Sequence, residues 1–269
     1  ASTLDQPMLY RMSNTGVHSL SKEYASITGI ELEGYAGLFA KANGNVVLLG
    51  RTKPGNDGLL IEVDNTGAVL SANIYNNVGM PFQNPDHDFN DGMELLPGGD
   101  IVVVGTAYNT TIYPTSHAQI LKLDNAFLPK YGMDYFGISE FLEVGRGTGT
   151  SGQEYFYGTG MHDPASGSPA FTRPIVARMY DQFGTGFSNP IAWYLYDGEI
   201  AFKNPRLSVS NNQIFYADAR YKTLLPNGYD LLFGAFDQQM MNVSCPNCMC
   251  LKTVGTGTGQ RTYARQSIQ

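Results

Sequence analysis

Charge is scarce in this chain: only 15% of its 269 residues are Asp, Glu, Lys or Arg, and 17 basic side chains face 24 acidic ones. A net charge of −7 leaves no concentrated positive surface, which excludes a phosphate-backbone partner such as DNA or RNA. Long apolar runs are absent as well. The longest strictly apolar stretches, such as Ile101 to Val104, suit buried strands, so no membrane-spanning helix is expected and the domain reads as soluble. HExxH, GxSxG and a phosphate loop are all missing, which removes the sequence grounds for zinc protease, serine hydrolase and nucleotide chemistry. No basic region followed by an apolar stretch comes after Ala1; the expectation is a secreted chain whose leader has been removed. Asn109-Thr110-Thr111 and Asn242-Val243-Ser244 match the glycosylation sequon, a triplet short enough to arise by chance.

Glycine is plentiful, at 31 positions, and aromatics make up 12%, a balance that favours strands and tight turns. A repeat of hairpin followed by hairpin runs through the chain four times. In the first copy Leu38-Phe39-Ala40-Lys41 turns at Asn43-Gly44, continues as Val46 to Gly50 and then as Leu59 to Asp64. The second has Met93 to Leu96, the turn Pro97-Gly98-Gly99-Asp100, Ile101 to Gly105 and Gln119 to Asp124. The third runs from Phe141 through a stretched Gly/Thr-rich turn to Glu154–Gly158 and then Ile175 to Asp181; the fourth runs from Leu207 through Asn211-Asn212 to Ile214–Ala217 and Leu231–Asp237. Gly50, Gly105, Gly158 and Ala217 fall 53 to 59 residues apart. Four strands per repeat of that length, with Asn-Gly and Gly-Gly turns, are the pattern of propeller blades.

The ends supply half-units. LYRMSNTGVHSLSKEY lines up with LIEVDNTGAVLSANIY as an outer hairpin, and LKTVGTGTGQRTYAR lines up with LEVGRGTGTSGQEYFY as an inner one. An all-β, five-bladed β-propeller is therefore expected, as one domain over 1–269. Its blades are 251–265 plus 8–25, then 35–77, 89–136, 140–196 and 203–245, the ring closing where the N-terminal hairpin pairs with the C-terminal one. The alternative is an open fragment completed by another chain. The strings DGMELLPGGDIVVVGT, AQILKLDNAFL and GLLIEVDNTGAVL resemble the blade-length repeats of secreted bacterial surface propellers, the delta-sixty-type repeat group among them. That resemblance implies the fold and an extracellular setting, and is silent on function.

Propellers bind ligands where loops and inner strands converge on the axis. Alignment of the innermost strands nominates Glu94, Glu143, Arg206 and Lys252 as channel-lining residues; ordered water solvating charged walls is the plainer explanation. Asp86, Asp88, Asn90 and Asp91, in a stretch read as a loop before an inner strand, are candidate calcium ligands, against turn-capping roles that need no metal. Cys245, Cys248 and Cys250 are the only cysteines, and in a secreted protein a local disulfide is expected ahead of a soft metal. His18, His87, His117 and His162 are scattered, with His87 and His162 read as loop residues. Trp193, Tyr194 and Tyr196, with Tyr155 and Tyr157, are assigned to interblade packing before sugar stacking.

The expected function is a non-catalytic binding or assembly module at the cell surface, presenting loops to a glycan, a protein or copies of itself. The alternative is a glycoside hydrolase of plant-type polysaccharides with Glu94 and Glu143 as its carboxyl pair, an analogy that rests on the fold alone.

Overall fold

A computed structural model describes residues 8–24, 26–27, 29–53, 57–77, 86–109, 113–149, 152–162, 173–182, 184–188, 191–194, 202–210, 213–221, 229–237, 257–261 and 263–268. Every regular element among them is a strand. In chain order these are β1 (Met8–Met12), β2 (His18–Glu23), β3 (Ser26–Ile27), β4 (Ile30–Ala40), β5 (Val46–Lys53), β6 (Gly58–Val63), β7 (Val69–Asn77), β8 (Asp86–Leu95), β9 (Ile101–Asn109) and β10 (Tyr113–Leu123). There follow β11 (Pro129–Phe136), β12 (Glu140–Thr148), β13 (Glu154–His162), β14 (Arg173–Tyr180), β15 (Ile191–Tyr194), β16 (Phe202–Ser210), β17 (Gln213–Tyr221), β18 (Tyr229–Asp237), β19 (Gly257–Arg261) and β20 (Tyr263–Ile268).

They form a two-stranded hairpin, β1-β2, and four antiparallel meanders: β4 to β7, β8 to β11, β12 to β15 and β16 to β18. The architecture is all-β and compatible with a β-propeller. The meanders follow from local chemistry. In the first three sheets the inner turn closes in the same way, each with a glycine at positive φ: Gly44, Gly99 and Gly152 donate their N–H groups to the carbonyls of Lys41, Leu96 and Gly149. The outer turns repeat too. Ser13, Asp64 and Asp124 each accept backbone N–H bonds from two and four residues on, which fixes the turn through the side chain.

The stretched third turn is a misreading that the pairing corrects. Arg146, Gly147 and Thr148 belong to β12, opposite Phe156, Tyr155 and Glu154, so the turn is only Gly149 to Gln153. Gly37 pairs with Leu49, Gly92 with Val104 and Gly145 with Tyr157, twelve residues apart in every case. Composition suggested a loop, but alternate glycines leave the backbone free to pair while giving no hydrophobic pattern to announce it.

Strands of these sheets are apolar on both faces, so each sheet must be covered on both sides. Leu9 and Tyr24 of the hairpin region pack on Leu59, Ile61 and Val63 of the first sheet. Val47, Leu49 and Leu60 pack on Ile101, Val103 and Leu121 of the second. Val102, Val104 and Ile120 meet Phe141, Phe156 and Ile175 of the third, and Tyr157 and Val176 meet Leu207, Ile214 and Tyr216 of the fourth. The hairpin and the four sheets thus stack in chain order.

One hydrogen bond recurs across these interfaces. The Tyr24 hydroxyl, just past β2, donates to the carbonyl of Gly67 in the outer turn of the first sheet, at 2.8 Å. Tyr75, on β7, does the same to Phe127 in the outer turn of the second sheet, at 2.9 Å, and Tyr135, on β11, to Ser188 beyond the outer turn of the third, at 3.2 Å. Each buried hydroxyl finds its partner on the next sheet, which sets the stagger between neighbours.

The chain's last strands lie elsewhere than expected. β1 pairs with β2, whereas β19 adds to the outer edge of β11 and β20 to that of β7. The anticipated pairing of 8–25 with 251–265 is not the one found among the described residues. As the last strands of their meanders β7 and β11 present edges that β20 and β19 complete, and Gly257-Thr258-Gly259 lacks the alternation that would tie it to one partner.

Replacing Tyr75 by Phe removes one intersheet bond and strands the Phe127 carbonyl in the interior. Urea unfolding should show a loss of about 1–3 kcal/mol with an unchanged m value.

Candidate functional site

The first strand of each meander, β4 (which also carries the two-residue β3 on its edge), β8, β12 and β16, lines one cavity of about 300 Å³. Two glycines let these strands approach. A Cβ on Gly92 would stand 2.7 Å from the Glu143 Cα, and one on Gly145 would stand 2.6 Å from a Val209 methyl, so only hydrogen fits at either place. Around the cavity sit Leu38 from β4, Glu94 from β8, Glu143 and Arg146 from β12, and Ser208 from β16.

The two carboxylates are not equivalent. Glu94 lies two residues beyond Gly92, whereas Glu143 lies two before Gly145, because the third hairpin has the ordinary length. Their surroundings differ accordingly. Burial pushes the Glu94 carboxyl above the usual glutamate range, and the nearby Arg146 guanidinium offsets part of that shift. Glu143 accepts a short hydrogen bond from the Leu207 N–H and lies 4.0 Å from the exposed Arg206 guanidinium. Arg146, which sequence alignment passed over, also reaches Glu154 at 3.0 Å. The site combines an acid raised by desolvation, a carboxylate anchored to the backbone and the Arg146 guanidinium; Arg206, expected to line it, is exposed beside Glu143 and outside the lining.

Other sequence candidates fall away from this cavity or outside the description. Lys252 and the three cysteines, Cys245, Cys248 and Cys250, lie outside the described residues. Asp86, Asp88, Asn90 and Asp91 belong to strand β8, not to a loop: Asp86 pairs with Tyr108 and Asp88 with Thr106, and the register shifts before Gly92. Their side chains lie outside the description. Backbone pairing with β9 explains why this polar run is extended, since a neighbouring strand outweighs the turn preference of Asp and Asn. His87 is likewise within β8, and His162 ends β13. Among the described residues no cluster of three His, Cys, Asp or Glu side chains is placed to hold a metal ion.

His18 is exposed and edge-on to Tyr10, whereas His117 is buried on β10 with its Nε2 at 3.1 Å from Asp134 of β11. Tyr157 lies fully buried between the third and fourth sheets, its hydroxyl pushed up to about 12 by desolvation, and Tyr155 packs edge-on to Tyr180. These aromatic side chains serve packing.

A second polar cluster joins the second and third sheets. Lys122 Nζ lies 2.6 Å from Asp181, which also accepts the Tyr131 hydroxyl and the Gly184 N–H. Lys130 and Lys122 flank Asp100 at 2.9 and 3.7 Å. Lys122 and Asp181 are mostly buried and Lys130 reaches solvent, so the cluster acts as a partly buried tie between sheets. The sequence signal was the Asp that ends each third strand; its partner, Lys122, carries no local signature.

No protein-family model matches the chain, and no curated protein matches it.

Burial raises the carboxyl of Asp181, but the bonds from Lys122, Tyr131 and Gly184 outweigh it and the net shift is downward. A carboxylate lowered in the folded state stabilises fully above its unfolded value, near 3.9, and loses that contribution as pH falls through the folded one. Asp181→Asn should therefore lower stability at pH 7 and flatten the decline in stability below about pH 4, as followed by urea unfolding at stepped pH.

Proposed function

We propose that this chain is a propeller-type binding module of the cell surface or extracellular space, with the β1-β2 hairpin as part of a fifth unit, and that its axial cavity takes a glycan. One observation carries this reading: four strands from four sheets converge on a polar cavity lined by Glu94, Glu143 and Arg146 around small residues. Sugar hydroxyls both donate and accept hydrogen bonds, which suits carboxylate oxygens beside a guanidinium group. A volume near 300 Å³ is at the small end of ligand pockets and fits the end of a saccharide. The extracellular setting is supported by the resemblance of the repeats to secreted surface propellers.

A second reading, a glycoside hydrolase, draws on the contrast between the two glutamates. A carboxyl raised by desolvation is suited to act as general acid, and a second carboxylate in the same cavity supplies the base or nucleophile.

Screening the purified chain on a glycan array should reveal binding to a restricted set of glycans without their cleavage. Glu94→Gln should weaken that binding by on the order of tenfold, the loss of one hydrogen bond to a charged group. Because the folded state raises the Glu94 carboxyl, its ionisation opposes folding as pH rises through that value. The same substitution should therefore leave stability at pH 7 unchanged or higher. Release of reducing sugar from a plant polysaccharide panel by the wild type, abolished in Glu94→Gln, would establish the hydrolase instead.

A further inference from the structure

The charges around the cavity between β4, β8, β12 and β16 do not cancel. Glu94 and Glu143 bring two carboxylates to its lining and Arg146 one guanidinium, which is already bonded to Glu154, outside the lining, at 3.0 Å. Glu143 spends one oxygen on the Leu207 N–H, and its other oxygen stands 4.0 Å from the exposed Arg206. Glu94 is half-buried. Among the described residues its carboxylate makes no hydrogen bond or ion pair, and Arg146 is the one cation whose field reaches it. A carboxylate drawn partly out of water with so little compensation gains most from a ligand that carries positive charge.

The rest of the lining decides which cation fits. No aromatic ring lines the cavity among the described residues, so there is no cage for a quaternary ammonium and no platform on which a sugar face could stack. Calcium takes about six to eight oxygen ligands, and two carboxylates beside a guanidinium fall short of that. A primary ammonium has three N–H donors, which match the lightly used oxygens of Glu94 and Glu143. Arg146 and the Ser208 hydroxyl then remain as donors for neighbouring oxygens of the same ligand. The methylene stem of a lysine side chain would leave those donors unanswered, whereas ring hydroxyls next to an amino group answer them.

Resting on the glycan reading above, we propose that this cavity selects a saccharide with a free primary ammonium group, an unacetylated amino sugar, its nitrogen held by Glu94 and Glu143 and its adjacent hydroxyls by Arg146 and Ser208. Acetylation of the nitrogen removes the charge, leaves one N–H donor and adds bulk to a space of about 300 Å³. Selectivity therefore resides in charge, and Glu94 is the residue that sets it.

The test is calorimetric titration of the full chain with three tetrasaccharides of one linkage, built from glucosamine, N-acetylglucosamine and glucose, slightly below neutral pH. The glucosamine oligomer should bind tighter than the other two by on the order of tenfold, and added salt should narrow the gap. Glu94→Gln should remove the preference while the three sugars still bind weakly and alike. Equal binding of all three by the wild type, or a preference that survives in Glu94→Gln, overturns the proposal and leaves the glycan reading standing. Failure of every sugar to bind sinks both. Nα-acetyllysine amide binding as tightly as the glucosamine oligomer would assign the cavity to a peptide amine and overturn the proposal. So would glucosamine binding that is absent from the wild type and gained in Lys252→Gln, since the chain's own ammonium would then be the occupant.

Discussion

Each sheet of this protein is apolar on both faces, and that single constraint organises the rest. A sheet with two apolar faces is stable only between two others, so the meanders stack in chain order, and each interface holds its own cluster of buried side chains. Magnitudes rank the contributions. Burial of one Phe or Leu side chain stabilises by roughly 1.5–3 kcal/mol, and the largest cluster contains Phe141, Phe156 and Phe187 along with a dozen others. A tyrosine hydroxyl bond contributes about 1 kcal/mol net. Packing drives the stack, and the bonds of Tyr24, Tyr75 and Tyr135 choose its stagger, since a slipped sheet would bury three hydroxyls without partners.

The cavity between the first strands is a consequence of the same stacking. Where the first strands gather, Gly92 permits contact with the backbone of β12 and Gly145 with the Val209 side chain, and the places around the cavity fall to Glu94, Glu143, Arg146 and Ser208. Polar side chains occupy those places. Glu94 sits deep enough for burial to favour its protonated form, whereas Glu143 leans on the backbone of the next sheet. The contrast between two residues of one type arises from their offset along adjacent strands, and it is what gives the cavity chemistry beyond simple solvation. The ends of the stack obey the rule in reverse. Tyr10 and Met12 at one end and Phe215 at the other are exposed large side chains where no further sheet covers them among the described residues.

Much of this order was legible in the residues. The Asn-Gly and Gly-Gly turns, the recurring Asp at the end of each third strand and the strictly apolar second strands specify local hairpins, and local hairpins depend on nearby residues only. Legibility failed where composition and pairing disagree. Gly145 to Gly152 reads as a loop, yet its first half is strand; Asp86 to Asp91 reads as a metal-type loop, yet it extends β8. In both segments a neighbouring strand supplies the hydrogen bonds that the side chains do not advertise. Misjudging the first of these made Glu94 and Glu143 look equivalent.

What the residues determined by themselves is the all-β class, the repeat and its turns, because these rest on backbone preferences and on alternation within a few positions. Only the tertiary structure decided the partners of the ends, the partial burial of Glu94 and the meeting of Lys122 with Asp181. Each of those depends on which sheet lies against which. Face-to-face packing is non-directional and leaves no signature at any one position, so it becomes visible only when the sheets are stacked.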